Sequence, residues 1–259
     1  MNVSTSALST WTSLPSDVSS PRLIGAVVPR AQLGGDDRDR MYEVLRRHFA
    51  GTDRARFEAD LLEKETVIVL RDREVGGIRG FSTLMRMNAR IDGSDVVAFF
   101  SGDTIVEPAY WGDSALSRMW GAAVFGEADR IAVEAPGTRV FWFLICSGYK
   151  TWRFLPVFFR EFYPNADAPT PAFHQRLLDS LGRQKFGDAY IPGAGIVRFP
   201  NATPLRDGVA DVTEARLRDP QIAFFVRANP GHIDGDELAC VAEVSRSNLT
   251  RAGRRMVGG

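Results

Sequence analysis

Residues Val140-Phe141-Trp142-Phe143-Leu144-Ile145-Cys146 form an uninterrupted apolar run, rich in aromatic and branched side chains, with nothing polar to face water. The run lacks polar–apolar alternation, so it predicts a strand buried on both faces at the centre of a sheet. Such a strand demands a covering layer on each side. Ahead of it, residues 112–135 repeat Leu116, Met119, Trp120, Ala123, Val124 and Ala128 at helical spacing and stop at Pro136-Gly137. Behind it, residues 149–163 read as an aromatic helix, interrupted by Pro156 and stopped by Pro164. With 259 residues, 44% of them hydrophobic, the chain has material for one large domain or two small ones.

Upstream, a short apolar run at residues 23–28 ends at Pro29. Two helical stretches follow: residues 38–50, with Met41, Leu45 and Phe49 four apart, and residues 54–64, with Phe57, Leu61 and Leu62. Residues 66–70 predict a strand, with a turn at Asp72-Arg73-Glu74. Residues 75–90 then alternate, Phe81, Thr83, Met85 and Met87 facing one way, and Asp92-Gly93 predicts a hairpin into a partner strand at 95–100. Ser101-Gly102 interrupts that strand before Thr104-Ile105-Val106 resumes it; a glycine at such a place marks a bulge. After Pro164, residues 171–181 predict a helix, 190–199 a glycine-kinked strand, and 221–227 and 238–244 short apolar strands. Residues 1–21, rich in Ser and Thr, read as a disordered tail. The order β, α, α, β, β, β, α, β, α is that of an α/β domain with an antiparallel meander in its first half.

Thirty-two basic side chains balance 32 acidic ones, which argues against a nucleic-acid partner held by bulk charge. No apolar run approaches the roughly 20 residues that cross a bilayer, and no secretion signal opens the chain, so no membrane partner and a cytoplasmic location are expected. Cys146 and Cys240 read as free thiols, a single bridge being the alternative. His48, His174 and His232 are scattered without metal-ligand spacing, so surface or capping roles and no metal are expected. Lysine occurs only at Lys64, Lys150 and Lys185; the other cations are arginine.

Four polar residues stand where the apolar strands end. Asp103 follows Gly102 among apolar neighbours, where burial would raise its pKa and suit it to general-base work; satisfying bulge amides is the alternative. Glu107 closes the same strand. Tyr149 and Lys150 follow the buried strand, as an acid and an anion anchor or, for Tyr149, as packing. Cys146 lacks an identifiable base. The aromatics Trp142, Trp152, Phe154, Phe158, Phe159 and Phe162 read as core, with enough in excess to line a pocket.

Taken together, residues 23–164 resemble the GNAT superfamily of acyl-CoA-dependent acyltransferases. Val106-Glu107-Pro108-Ala109-Tyr110-Trp111-Gly112 is similar to the family's passage from its fourth strand into the pyrophosphate loop, and Phe158-Phe159-Arg160-Glu161-Phe162-Tyr163 to the helix after its fifth strand. The resemblance implies a mixed, mostly antiparallel central sheet flanked by helices, with residues 22–164 as the core and 165–259 as a C-terminal α/β extension packed on it. It implies that the strands near 104–106 and 140–146 run parallel and diverge, with the intervening helix as crossover. It further implies an acyl thioester co-substrate, acyl-CoA or an acyl-carrier protein, no metal, and a small-molecule amine or hydroxyl acceptor. Ile105 and Val106 would offer backbone to the pantetheine arm, and Trp111, Gly112, Ser114 and Arg118 would lie at the pyrophosphate. Asp103, Glu107 (through a water), Tyr149 and Lys150 would carry the chemistry. The loop departs from the family pattern: Trp111 takes the basic position, and Asp113 either opposes a pyrophosphate or caps the helix. Phe159 replaces the family's tyrosine. These departures favour a rival reading, a catalytically silent ligand- or partner-binding domain; a third class is a homodimeric structural or assembly protein whose C-terminal third completes an interface.

Overall fold

The computed structural model describes residues 21–258, so the tail expected at 1–21 falls, but for Pro21, outside the described residues. One eight-stranded sheet organises the molecule, in the order β1-β2-β3-β4-β5-β8-β7-β6. β1 (Leu23–Pro29) pairs antiparallel with β2 (Thr66–Asp72), and α1 (Gly35–His48) and α2 (Arg54–Leu62) lie between them in sequence. β3 (Ile78–Ile91) and β4 (Ser94–Val106) form a long hairpin whose turn holds Asp92 at φ 51° and Gly93 at φ 80°. That left-handed pair matches the twist of the flanking strands.

α3 (Ala115–Glu134) carries the chain across to β5 (Arg139–Cys146), which runs parallel to β4. β5 is an interior strand, because β8 (Glu237–Glu243) pairs antiparallel with its other edge. Its two faces serve two cores. Val140, Trp142, Leu144 and Cys146 pack toward α3, and Phe141 and Phe143 toward α6 (Ala172–Phe186). A third cluster joins Met41, Val44, Phe57 and Leu61 of α1 and α2 to β2 and β3. Burying an aromatic or aliphatic side chain of this size contributes about 1.5–3 kcal/mol. Among the described residues no helix is long and apolar enough to cross a membrane.

Three expectations are corrected. Residues 149–163 are not one helix: α4 (Tyr149–Trp152) and α5 (Phe154–Phe158) are single short turns, and Phe159 is extended at φ −118°. Phe159 and Tyr163 then bridge to Leu249 and Val241, so aromatic packing overrides helical continuation. Residues 221–227 are helical, within α7 (Pro220–Ala228), because Asp219 caps the Gln221 amide, Pro220 starts the helix and Ile222 and Phe225 bury one face. Residues 190–199 form two short strands, β6 (Tyr190–Ile191) and β7 (Ile196–Val197), turned by Gly193 and Gly195 at positive φ. The chain closes with α8 (Arg251–Met256), whose Gly253 amide is capped by Thr250.

Candidate active site

The β4–β5 ladder stops at the pair Ser101–Leu144, although both strands continue. A bulge causes the parting. Leu84 faces Ser101 and Ser82 faces Thr104, so Gly102 and Asp103 together oppose the single residue Thr83. Gly102 is required by crowding: a Cβ there would meet Thr83 Oγ1 at 2.6 Å and Lys64 Cε at 2.8 Å. Past this point β4 keeps only its β3 partner, and a gap opens through the sheet.

Cavities lie on both sides of the gap and meet at Thr104 and Thr151. Toward α3, a narrow slot of about 40 Å³ is walled by Leu116, Trp120, Trp142, Leu144, Phe154 and Phe159. Its β3 and β4 hydroxyls are engaged: Ser101 Oγ accepts from the Trp120 and Trp142 indoles at 3.1 and 2.9 Å, and Ser82 bonds Thr104 at 2.7 Å. The slot leads to an outer cavity of about 370 Å³ lined by Ile105, Val106, Trp111, Gly112 and Lys150. Residues 205–210 form part of its wall; Leu205 and Ala210 approach Gly148 so closely that a Cβ there would lie within 2.7 and 2.9 Å of them. Toward α2 and α6 lies a chamber of about 440 Å³ containing Asp103, Asp60, Glu63, Lys185, Ser147 and Glu237.

Of the acids expected to act, Asp103 lines the chamber and Glu107 lines none of these cavities. The Glu107 carboxylate is held by Arg40 at 2.6 Å, Arg47 at 2.8 Å and Arg79 at 3.5 Å, an ion cluster that fastens α1 to the sheet. Asp103 has no hydrogen bond or ion pair among the described residues. Burial, with the Asp60 carboxylate adding repulsion, pushes its carboxyl up to about 7 against the opposing pull of Lys64. Sequence reading missed its counterpart. β8 pairs Leu238 with Cys146, which sets the preceding Glu237 beside Ser147, and Ser147 Oγ donates to Glu237 Oε2 at 2.8 Å. Burial pushes Glu237 up to about 7 as well, with the Asp103 charge adding to it and the Ser147 hydrogen bond working against it. An acid opening an apolar strand was the available signal, the same one that marked Asp103.

The three lysines divide between the two sides of the gap. Lys64 is fully buried with Nζ 2.7 Å from Asp60, Lys185 lines the chamber, and Lys150 lines the outer cavity with Nζ 3.3 Å from the centre of the Trp111 ring. Burial, with Arg216 nearby, lowers the Lys150 pKa. Tyr149 is buried beneath, its hydroxyl without a partner and its pKa raised by burial; it lines none of these cavities. Ser114 and Arg118 are exposed and line none of them. Asp113 occupies the start of α3 itself: it accepts from the Ala115 amide at 2.8 Å and the Leu23 amide at 3.1 Å. The expected cap is therefore present, and the carboxylate stands where an anion would approach the helix. Tyr110 anchors the same loop by donating to Asp72. His48 is buried rather than superficial, its Nε2 3.1 Å from the Val106 carbonyl. Cys146 and Cys240 are free and buried, their sulfurs 4.0 Å apart.

The arrangement therefore follows one plan: an antiparallel β1–β4 meander, a bulged β4, a crossover helix, and a β5 parallel to β4 that parts from it. The fold is GNAT-like. No protein-family model and no curated protein matches the sequence. Solved structures that the molecule resembles include a conserved protein of unknown function from Enterococcus faecalis, at 14% identity and TM-score 0.39 over 54% of this chain and 33% of that one. The chain thus spans about a third of that protein's length. A GNAT family N-acetyltransferase from Escherichia coli in complex with CoA aligns at 18% identity and TM-score 0.36, over 52% of this chain and 69% of that one. An IAA acetyltransferase from Bacillus cereus aligns at 8% identity and TM-score 0.34, over 86% of this chain and 99% of that one. At these scores the fold rests on strand order and register.

Proposed function

We propose that this GNAT-like protein transfers an acyl group from a thioester to an amine, with donor and acceptor entering from opposite sides of the β4–β5 gap. One observation carries the reading: cavities of unlike chemistry meet at a break in the sheet beside an unpartnered carboxylate of raised pKa. The apolar slot suits a small acyl group, the outer cavity suits the neutral arm of a thioester, and the chamber suits a charged acceptor. An ammonium entering the chamber gives one proton to Asp103. The free amine then attacks the thioester carbonyl; the C–N bond forms and the C–S bond breaks. The nitrogen loses a second proton, so that overall one proton ends on the departing thiolate and one in solvent. Holding the two reactants at the gap lowers the entropic part of the barrier, and Asp103 supplies base catalysis of about 10²–10⁴-fold.

On the donor side, Asp113 already occupies the Ala115 amide at the start of α3 and sets a negative charge there, and Trp111 stands at the basic position of the family loop. This favours recognition of the thioester arm over recognition of the nucleotide, as in an acyl-carrier donor or weakly bound acyl-CoA. Lys150 is the cation lining that cavity. The test is product formation by mass spectrometry, using acetyl-CoA, longer acyl-CoAs and an acyl-carrier protein with a panel of amines and alcohols. An acylated product whose formation is lost in Asp103→Asn supports the reading. Binding of thioester with no transfer to any acceptor would instead favour the silent binding domain.

A further inference from the structure

We propose that the chamber takes an acceptor bearing two amino groups, received by Asp103 and Glu237. The proposal rests on the acyl-transfer reading and names the substrate class of the same site. The chamber's charges sort by the partners they already have. Asp60 is held by Lys64 at 2.7 Å and Lys185 at 3.5 Å, and Glu63 is held by Lys185. Asp53 caps α2, accepting from the Arg56 amide at 2.8 Å. The Arg56 guanidinium lies at the rim, over the Phe199 ring, and donates to the Asn201 carbonyl. Among the described residues three of these carboxylates have no ion pair: Asp53, which is exposed and caps α2, Asp103, which has no hydrogen bond, and Glu237, which has the Ser147 hydroxyl.

Asp103 and Glu237 come from different strands, β4 and β8, and both line the chamber, half-buried in its wall. A neutral acceptor would leave both uncompensated at the moment water is excluded, which costs far more than leaving them hydrated. An anionic acceptor would add repulsion. A molecule with two ammonium groups compensates both, and the apolar side chains of Phe49, Phe57, Phe100 and Phe186 line the chamber for the alkyl chain between them. One amino group loses its proton at Asp103 and is acylated. The other stays charged at Glu237 and fixes the register of the chain.

Calorimetric titration of the full chain without thioester tests this, using diaminobutane, butylamine and aminobutyrate at a pH above the value of about 7 at which both acids titrate. Diaminobutane is expected to bind about tenfold more tightly than butylamine, the factor that one further well-formed charge contact supplies, and aminobutyrate more weakly than either. Glu237→Gln is expected to bring the ratio of diaminobutane to butylamine affinity down toward one. Equal binding of the two amines by the unmodified protein, or tightest binding of aminobutyrate, overturns the proposal without recourse to any variant. The outcomes also separate the two readings. Diamine selectivity with no acyl product removes the acyl-transfer reading and leaves this one standing. Equal acylation of butylamine and diaminobutane does the reverse.

Discussion

The slot and the chamber share Gly102, Thr104, Ile145 and Thr151, yet they are built on opposite principles. On the α3 side, aromatic and aliphatic walls are dry, and every nearby hydroxyl of β3 and β4 facing that side is committed to a neighbour. On the α2 and α6 side, carboxylates and lysines line one chamber, and its half-buried acids Asp103 and Glu237 have no ion pair among the described residues. A well-packed region gains stability from its contents. The chamber gives up some stability, because half-burying a carboxylate without a cationic partner weakens its hydration. Strain of this kind at one side of a single gap marks where chemistry is to be expected.

The largest effect that would break this contrast is on Asp103. Asp103→Asn preserves shape and removes the base, and is expected to lower the rate of acyl transfer about 10²–10⁴-fold with an unchanged circular dichroism spectrum. A rate within a factor of a few of the unmodified protein would remove Asp103 from the mechanism. Next is a separation of the two sides. Ser117 lines both the slot and the outer cavity. Ser117→Phe is expected to raise the KM for a thioester about tenfold, the consequence of losing roughly 1.4 kcal/mol of donor contact, while diaminobutane binding stays as it was. Loss of amine binding in this variant would mean that the cavities are not independent.

Stability offers the third comparison. Asp103 and Glu237 titrate near 7 when folded and near 4 when unfolded. A carboxyl whose folded pKa is raised favours the folded state when protonated, and that contribution is lost as pH rises from about 4 through about 7. The unmodified protein is therefore expected to lose stability across this window, whereas Asp103→Asn and Glu237→Gln lose less. At a pH of about 8 each variant should be more stable by about 1–3 kcal/mol, with the difference vanishing below about 4. Thermal melts across pH read this directly. Variants that are less stable at high pH would show that the acids have cationic partners after all.

What could be read from the sequence followed from local signals. Alternation along residues 78–91, the Asp92-Gly93 turn and the apolar run of β5 each declare themselves within ten or so residues, so the meander and its interior strand were legible. Asp103 was legible for the same reason, as a charge beside a glycine in an apolar strand. Glu107 looked equally promising, but its arginines arrive from α1 and β3, and no local pattern announces three guanidiniums on one carboxylate. Glu237 depends on β8 docking against β5 across some ninety positions. The helix α7 was mistaken for a strand because its apolar residues are consecutive; the Asp219-Pro220 start was the better guide.

The smallest expected effect concerns the far end of the donor side. Asp113 binds the Ala115 amide at the start of α3 and the Leu23 amide of β1, so its carboxylate both satisfies the helix and repels an approaching pyrophosphate. Asp113→Asn removes the charge and keeps one amide acceptor. Relief of a repulsion of about 1 kcal/mol at 4–6 Å strengthens CoA binding about fivefold, while the lost hydrogen bond costs about 1 kcal/mol of stability. Arg118 is exposed and has no side-chain partner among the described residues, so Arg118→Ala is expected to weaken CoA only about twofold, as befits a solvated charge. Higher CoA affinity with a lower melting temperature in Asp113→Asn would show that the chain trades nucleotide recognition for a tethered loop. CoA affinity that is high at the outset and indifferent to Asp113 would mean the nucleotide reaches the slot by another path, and the contrast between a selective chamber and a permissive donor side would fall.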